Sequence, residues 1–168
     1  IVEIWKNRIP WLMFLMLSAT FTSMILTHFE DMLAVQAALI AFIPTLMGTG
    51  GNSGAQASTA VIRSLSLGDT EPKDAARVAW KELRVAFLCG LTLATVNFMK
   101  MLILDGMIMH NSGITVQVAL TVSMAILFIV IFAKVVGSML PIGAEKIGVD
   151  PAVMANPLIS TVTDTVSL

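Results

Sequence analysis

Charge is what this sequence has least of. Asp, Glu, Lys and Arg make up 12% of its 168 residues, against 57% hydrophobic, and the mean hydropathy is +0.88. A soluble domain needs a charged surface, so the composition argues against that class and predicts a chain whose solvent is a bilayer. Cysteine is nearly missing: Cys89, the only one, lies in an apolar run, which excludes an internal disulfide and a thiolate metal cluster. The ten basic residues leave a net charge of −1 and form no patch with interleaved aromatics, so no nucleic-acid partner is predicted. Histidine is scarce too, and His28 and His110 read as separate surface residues rather than a ligand pair. The chain starts at Ile1 without an initiator methionine, and "IVEIWKNR" lacks the order of a signal peptide, so it reads as part of something longer.

What is there is a set of apolar segments, and the fold class predicted is an all-α membrane protein. Five transmembrane helices fit the runs at about 9–28, 33–65, 85–104, 114–133 and 151–168. Lys6 and Arg8 precede the first; Arg63, Lys73, Arg77, Lys81 and Arg84 fall between the second and third; Lys134 and Lys146 fall between the fourth and fifth. The alternate loops carry no Lys or Arg, so the N-terminus is predicted to be cytoplasmic and the C-terminus outside. Asp150 before Pro151 predicts an N-cap and a helix start. Lys100 breaks the charge pattern; it would snorkel to the outer interface or pair with Asp164.

Two features carry chemistry. "IPTLMGTGGNSGAQAS", Ile43 to Ser58, crowds Gly48, Gly50, Gly51, Gly54, Pro44, Asn52 and Gln56 into the second span. That predicts a span broken by glycines, whose small residues make room and whose freed carbonyls face a cavity. Asn52 and Gln56, four apart, would place two amides on one face toward water. Close helix packing is the alternative use of the glycines. The last span reads "PAVMANPLISTVTDTVSL", and Asn156, Ser160, Thr163, Asp164 and Ser167 recur at helical spacing on one side. Asp164 lies roughly 20 Å along the axis from Pro151. A carboxylate at that depth needs water, a cation or a partner. Oxygen donors without nearby Cys or His suit Mg²⁺, Ca²⁺, Na⁺ or protons rather than Zn²⁺ or Cu.

"PTLMGTGGNSGAQASTAVIRSL" followed by "VDPAVMANPLISTVTD" resembles the membrane domain of MgtE-type magnesium transporters. The resemblance implies a homodimer with one pore on its two-fold axis, lined by the second and fifth spans of each subunit. It implies that residues 1–168 form a transmembrane ion-conducting domain of the inner (plasma) membrane, with Mg²⁺ as both cargo and ligand. Asp164 is similar to the family's pore carboxylate, Asn156 to the amide lower in that pore, and Asp150 to the acidic residue at the cytoplasmic mouth. Asn52, Gln56, Gly50, Gly51, Ser160 and Thr163 would line the path. In the full-length family members, covalently attached cytoplasmic regulatory domains precede the spans; none is present in this sequence.

The function expected is therefore passive Mg²⁺ passage, with a Na⁺- or proton-coupled divalent cation exchanger as the alternative. An intramembrane aspartyl enzyme needs two converging carboxylates, and Asp105 is the only remote companion for Asp164, so no enzymatic activity is predicted. A purely structural scaffold would leave the polar stripe unused.

Overall fold

The computed structural model describes residues 2–29, 37–109 and 113–167. They form helices α1 (Val2–His28), α2 (Ile43–Ser66), α3 (Ala75–Lys100), α4 (Val116–Lys146) and α5 (Pro151–Val166), with no strand among them. A π-helical segment, Met101–Ile108, prolongs α3, and a single turn, Ala37–Ile40, precedes α2. The predicted loop at Glu30 and Asp31 and the residue His110 lie outside the described residues.

The central helix is α4. Its sequence is apolar on every side, as a helix surrounded by others must be, and α2, α3 and α5 all pack against it. Val118, Ala119, Val122, Ile126 and Val130 of α4 meet Phe42 and Met101 in one apolar core. Asn97 of α3 reaches into this contact, its Nδ2 donating to Ser123 Oγ at 3.2 Å. Two helical stretches, Pro72–Ile108 and Val116–Lys146, are long and apolar enough to cross a bilayer, and Leu12–His28 is a shorter apolar run. Helix α1 leans on α5, where Thr22 Oγ1 and Thr165 Oγ1 lie 3.2 Å apart.

The helix ends follow local chemistry. Asp150 Oδ1 accepts from Ala152 N at 2.8 Å, so the cap read from the sequence is in place and Pro151 opens α5. Thr115 caps α4 by accepting from Val118 N. Gly68 and Gly148, with φ of 74° and 73°, terminate α2 and α4. In each case the two residues past the helix return their N–H groups to the last turn: Gly68 to Leu65 and Asp69 to Ser64, Gly148 to Glu145 and Val149 to Ala144. A side chain with a Cβ is strained at such a φ, which is why glycine ends both helices.

Three expectations are corrected. The second span is not broken at its glycines: α2 runs unbroken from Ile43 to Ser66, and the interruption lies earlier, at Ala41–Phe42, with Pro44 in the first turn. Interior glycine costs a helix about 1 kcal/mol per residue, and the packing described below outweighs it. The fourth helix does not end at 133. It continues through "VVGSMLPIGA" to Lys146, so Lys134 lies inside α4 rather than in a loop. Finally, Lys100 neither snorkels alone nor meets Asp164; it pairs with Asp105 at 2.9 Å, its Nζ standing 5.5 Å from the Phe42 ring centroid.

Candidate ion path

Helix α2 has two unlike sides. Gly50, Ser53, Gly54, Ala57, Ser58 and Val61 are buried, whereas Thr45, Gly48, Asn52, Gln56, Thr59 and Arg63 are exposed. The exposed set recurs every three or four residues and so forms one polar stripe along the helix. A stripe of amides, hydroxyls and a guanidinium is costly against lipid, which offers no hydrogen bonds. Its chemistry is that of a surface turned to water or to another polar face.

The buried side explains the glycines. A Cβ at Gly54 would stand 2.5 Å from Ile159 Cγ2 and 3.1 Å from the Ala133 carbonyl oxygen. A Cβ at Gly137 of α4 would collide with the Gly54 backbone. Helices α2 and α4 thus touch main chain to main chain, and α5 lies against both. Gly50 has the same role: its Cβ would lie 2.7 Å from Ile129 Cγ2 and 3.2 Å from Ser167 Oγ. Gly51 is at the edge of the contact, 3.9 Å from Thr163 Oγ1, and Gly48 faces open space.

The polar stripe of α5 is divided by this packing. Thr163 is 1% exposed, and its hydroxyl donates to the Ile159 carbonyl of its own helix at 2.8 Å. Ser167 is buried and donates to the Thr163 carbonyl at 2.6 Å. Ser160 is exposed and Asp164, one turn on, is half-buried. Val166 lines an apolar cleft with Phe128, Ile129 and Phe132 of α4. Two residues away from Val166, Asp164 points about 160° around the helix, onto the flank of α5 turned away from that cleft. Ser160 and Asp164 thus share that flank of α5, and Asn52 stands on the exposed stripe of α2. Asn156 belongs to α5 two turns before Asp164; its side chain lies outside the described residues. Asp150 is exposed at the start of α5, at the far end from Asp164.

Among the described residues the ion pairs are Lys73–Glu71 and Lys100–Asp105, and no cation among them lies within pairing distance of Asp164. No grouping of three or more His, Cys, Asp or Glu able to hold a metal occurs among them either. One chain thus offers a single carboxylate at this level, beside hydroxyls and amides. Such a set binds the water of a hydrated ion better than it replaces that water.

Gln56 and Lys134 complete the picture. Lys134 is buried and donates to Gln56 Oε1 at 2.7 Å. The amide oxygen of Gln56 thereby accepts from a buried ammonium, and its amide nitrogen remains a donor. Lys134 and Gly137 were the residues that pattern reading missed. The signal was present, since a run free of charge, Val135 to Ala144, follows Lys134.

With this geometry in place, the likeness to known proteins is informative. A family profile described as "MgtE: Divalent cation transporter" matches residues 43–168. "Magnesium transporter MgtE" of Thermus thermophilus is 38% identical over 167 residues, covering 99% of this chain and 35% of the relative. The proteins of the same name from Bacillus subtilis and Enterococcus faecalis are 30% and 29% identical, over 96% and 97% of this chain and 34% of each relative. The chain spans about a third of the length of these curated relatives. The matched region takes in both the glycine-bearing helix and the one that carries Asp164, and the chain belongs to the MgtE divalent cation transporter family.

Proposed function

We propose that this chain forms the membrane-embedded, ion-conducting part of a magnesium transporter, in which Mg²⁺ passes along the shared polar surface of α2 and α5. The observation that carries the reading is Asp164: a half-buried carboxylate without a cationic partner among the described residues, on a helix packed against α2. Mg²⁺ keeps its water reluctantly exchanged and needs oxygen ligands. Asp164 supplies charge to such an ion, Ser160 and Asn52 supply hydrogen bonds to its water, and Asn156 extends the same series inward. Gly50 lets α5 approach so closely that Asp164 comes to the edge of the path, with Gly51 at the margin of that contact and Thr163 filling it. Asp150 marks the cytoplasmic mouth.

A surface of this kind on one chain is half of a conduit. A second copy related by a two-fold axis would bring two Asp164 carboxylates to the same level and cover both polar stripes. The five helices then cross the inner membrane with the N-terminus cytoplasmic, and regulatory domains attached to the same polypeptide gate the path. Transport rather than catalysis is the work assigned. Passage is passive, driven by the membrane potential at about 2.3 kcal/mol per charge per 100 mV, which a dication feels twice.

Mg²⁺ influx into proteoliposomes tests this. Replacing Asp164 with Ala is expected to reduce the flux at least tenfold, an effect of about 1.4 kcal/mol or more; an unchanged flux would remove Asp164 from the path. Adding or reversing Na⁺ and proton gradients separates passive passage from coupled exchange, which alone would respond.

A further inference from the structure

Lys134 is a charge for which the cation path has no use. It lies midway along α4, 4% exposed, and an ammonium carries three N–H donors. Gln56 Oε1, a neutral amide oxygen, takes one of them. Lys100, by contrast, has a carboxylate. An ionisable group buried at membrane depth ordinarily marks a function and implies a partner.

Among the described residues no acidic side chain pairs with Lys134. Helix α2 contains no Asp or Glu from Ile43 to Ser66, Glu145 is three turns further along α4, and Glu82 of α3 precedes the helix segment facing Lys134 by about two turns. Lys134 instead lines an open groove of about 410 Å³ on the surface formed by α2, α3 and α4, together with Ser53, Gln56, Cys89 and Thr92 among the exposed Leu88 and Leu93. Water takes about 30 Å³ in the liquid, so the groove has room for an ion with part of its shell.

The polar groups that surround this space are mainly donors. Lys134 contributes ammonium protons, and Gln56, its oxygen committed, contributes its amide nitrogen. Ser53 adds a hydroxyl and Cys89 a weak S–H. The Thr92 hydroxyl donates to the Leu88 carbonyl at 2.9 Å and keeps only its lone pairs. No carboxylate is among the lining residues. A divalent cation is repelled from such a space, and a small anion is held by it. Gln56 also belongs to the exposed stripe of α2, which gives the groove a polar edge.

We propose that the groove formed by α2, α3 and α4, with Lys134 in its wall, binds a small monovalent inorganic anion of halide size. The anion neutralises the buried ammonium and ties α4 to α2 and α3 beside the cation path.

Bromide is the probe. Crystals of the purified protein grown in bromide are expected to show an anomalous peak next to Lys134 Nζ, absent from Lys134→Met. In solution, the thermal midpoint of the native protein rises by a few degrees as bromide replaces gluconate at constant cation and ionic strength. Lys134→Met loses that dependence and Asp164→Ala keeps it, so loss of Mg²⁺ transport and loss of anion binding are read separately. An empty groove at saturating bromide, or a halide effect that survives in Lys134→Met, overturns the proposal. Should Lys134→Met fail to fold, Lys134→Arg retains the charge and the bromide-dependent midpoint, and the native bromide crystal decides by itself.

Discussion

At the scale of single residues, Asp164 and Lys134 show how far side-chain chemistry can be read before a structure is available. The carboxylate in an apolar helix was visible at once, because it violates the solvent preference of everything around it. The lysine violates the same preference but sits where an apolar run was expected to end, and position in the chain disguised it as a loop residue. Gln56 shows what pairing does to a legible residue: its place on the exposed face agrees with its spacing from Asn52, yet its oxygen is already taken. Protons compete with Mg²⁺ for a carboxylate, so acidification is expected to weaken Mg²⁺ binding in the native protein and to leave Asp164→Asn nearly insensitive. Isothermal titration of both proteins at neutral and acid pH checks this, and equal pH dependence would place the titrating group elsewhere. Asp150 invites a different measurement. Its cap on Ala152 is expected to be worth about 1 kcal/mol, so Asp150→Ala lowers the thermal midpoint while Asp150→Asn, which still caps, does not.

Among the elements, α2 is the instructive case. Its glycines read as a break when only the helix itself is considered, since each one weakens it. The neighbour supplies the missing term: main-chain contact with α4 at Gly137 and with Ile159 of α5 requires the bulk to be absent. Sequence periodicity reports which side of a helix is polar, but not how near the next axis comes. A methyl group at Gly137 would meet the Gly54 backbone, which cannot swing aside, so Gly137→Ala is expected to cost roughly 1–3 kcal/mol; detergent thermal unfolding against Gly143→Ala, where a Cβ meets nothing within 4 Å, isolates the contact. The division of α5 is testable on a Cys89→Ser background. Cysteines at Asn52 and Ser160 should react with a water-soluble thiol reagent, and those at Thr163 and Ala57 should not. Equal labelling of all four would mean that the polar and buried sides have been wrongly separated.

For the molecule as a whole, the helical class, the cap of α5 and the approximate run of each apolar segment were legible, because hydropathy and capping act locally. The extension of α4 to Lys146 and the Lys100–Asp105 pair were not, because each depends on what another segment presents. At 31 residues α4 spans roughly 46 Å, longer than the roughly 30 Å of a hydrocarbon core, so it tilts or projects from the bilayer. A passive conduit built on this frame predicts that Mg²⁺ entry into proteoliposomes grows with an inside-negative potential and proceeds without Na⁺. Flux that ignores potential but follows an opposing Na⁺ gradient would favour the exchanger instead.

The contact between Gly54 and Gly137 constrains how such a protein opens and closes. Two helices that meet through their main chains have no flexible side chains between them to absorb a change of separation, so they travel as one stiff strut. In the proposed conduit, widening would then fall to α5 and α1, the pair joined to each other through Thr22 and Thr165. A gating signal acting on the proposed conduit would lever that pair from its Asp150 end.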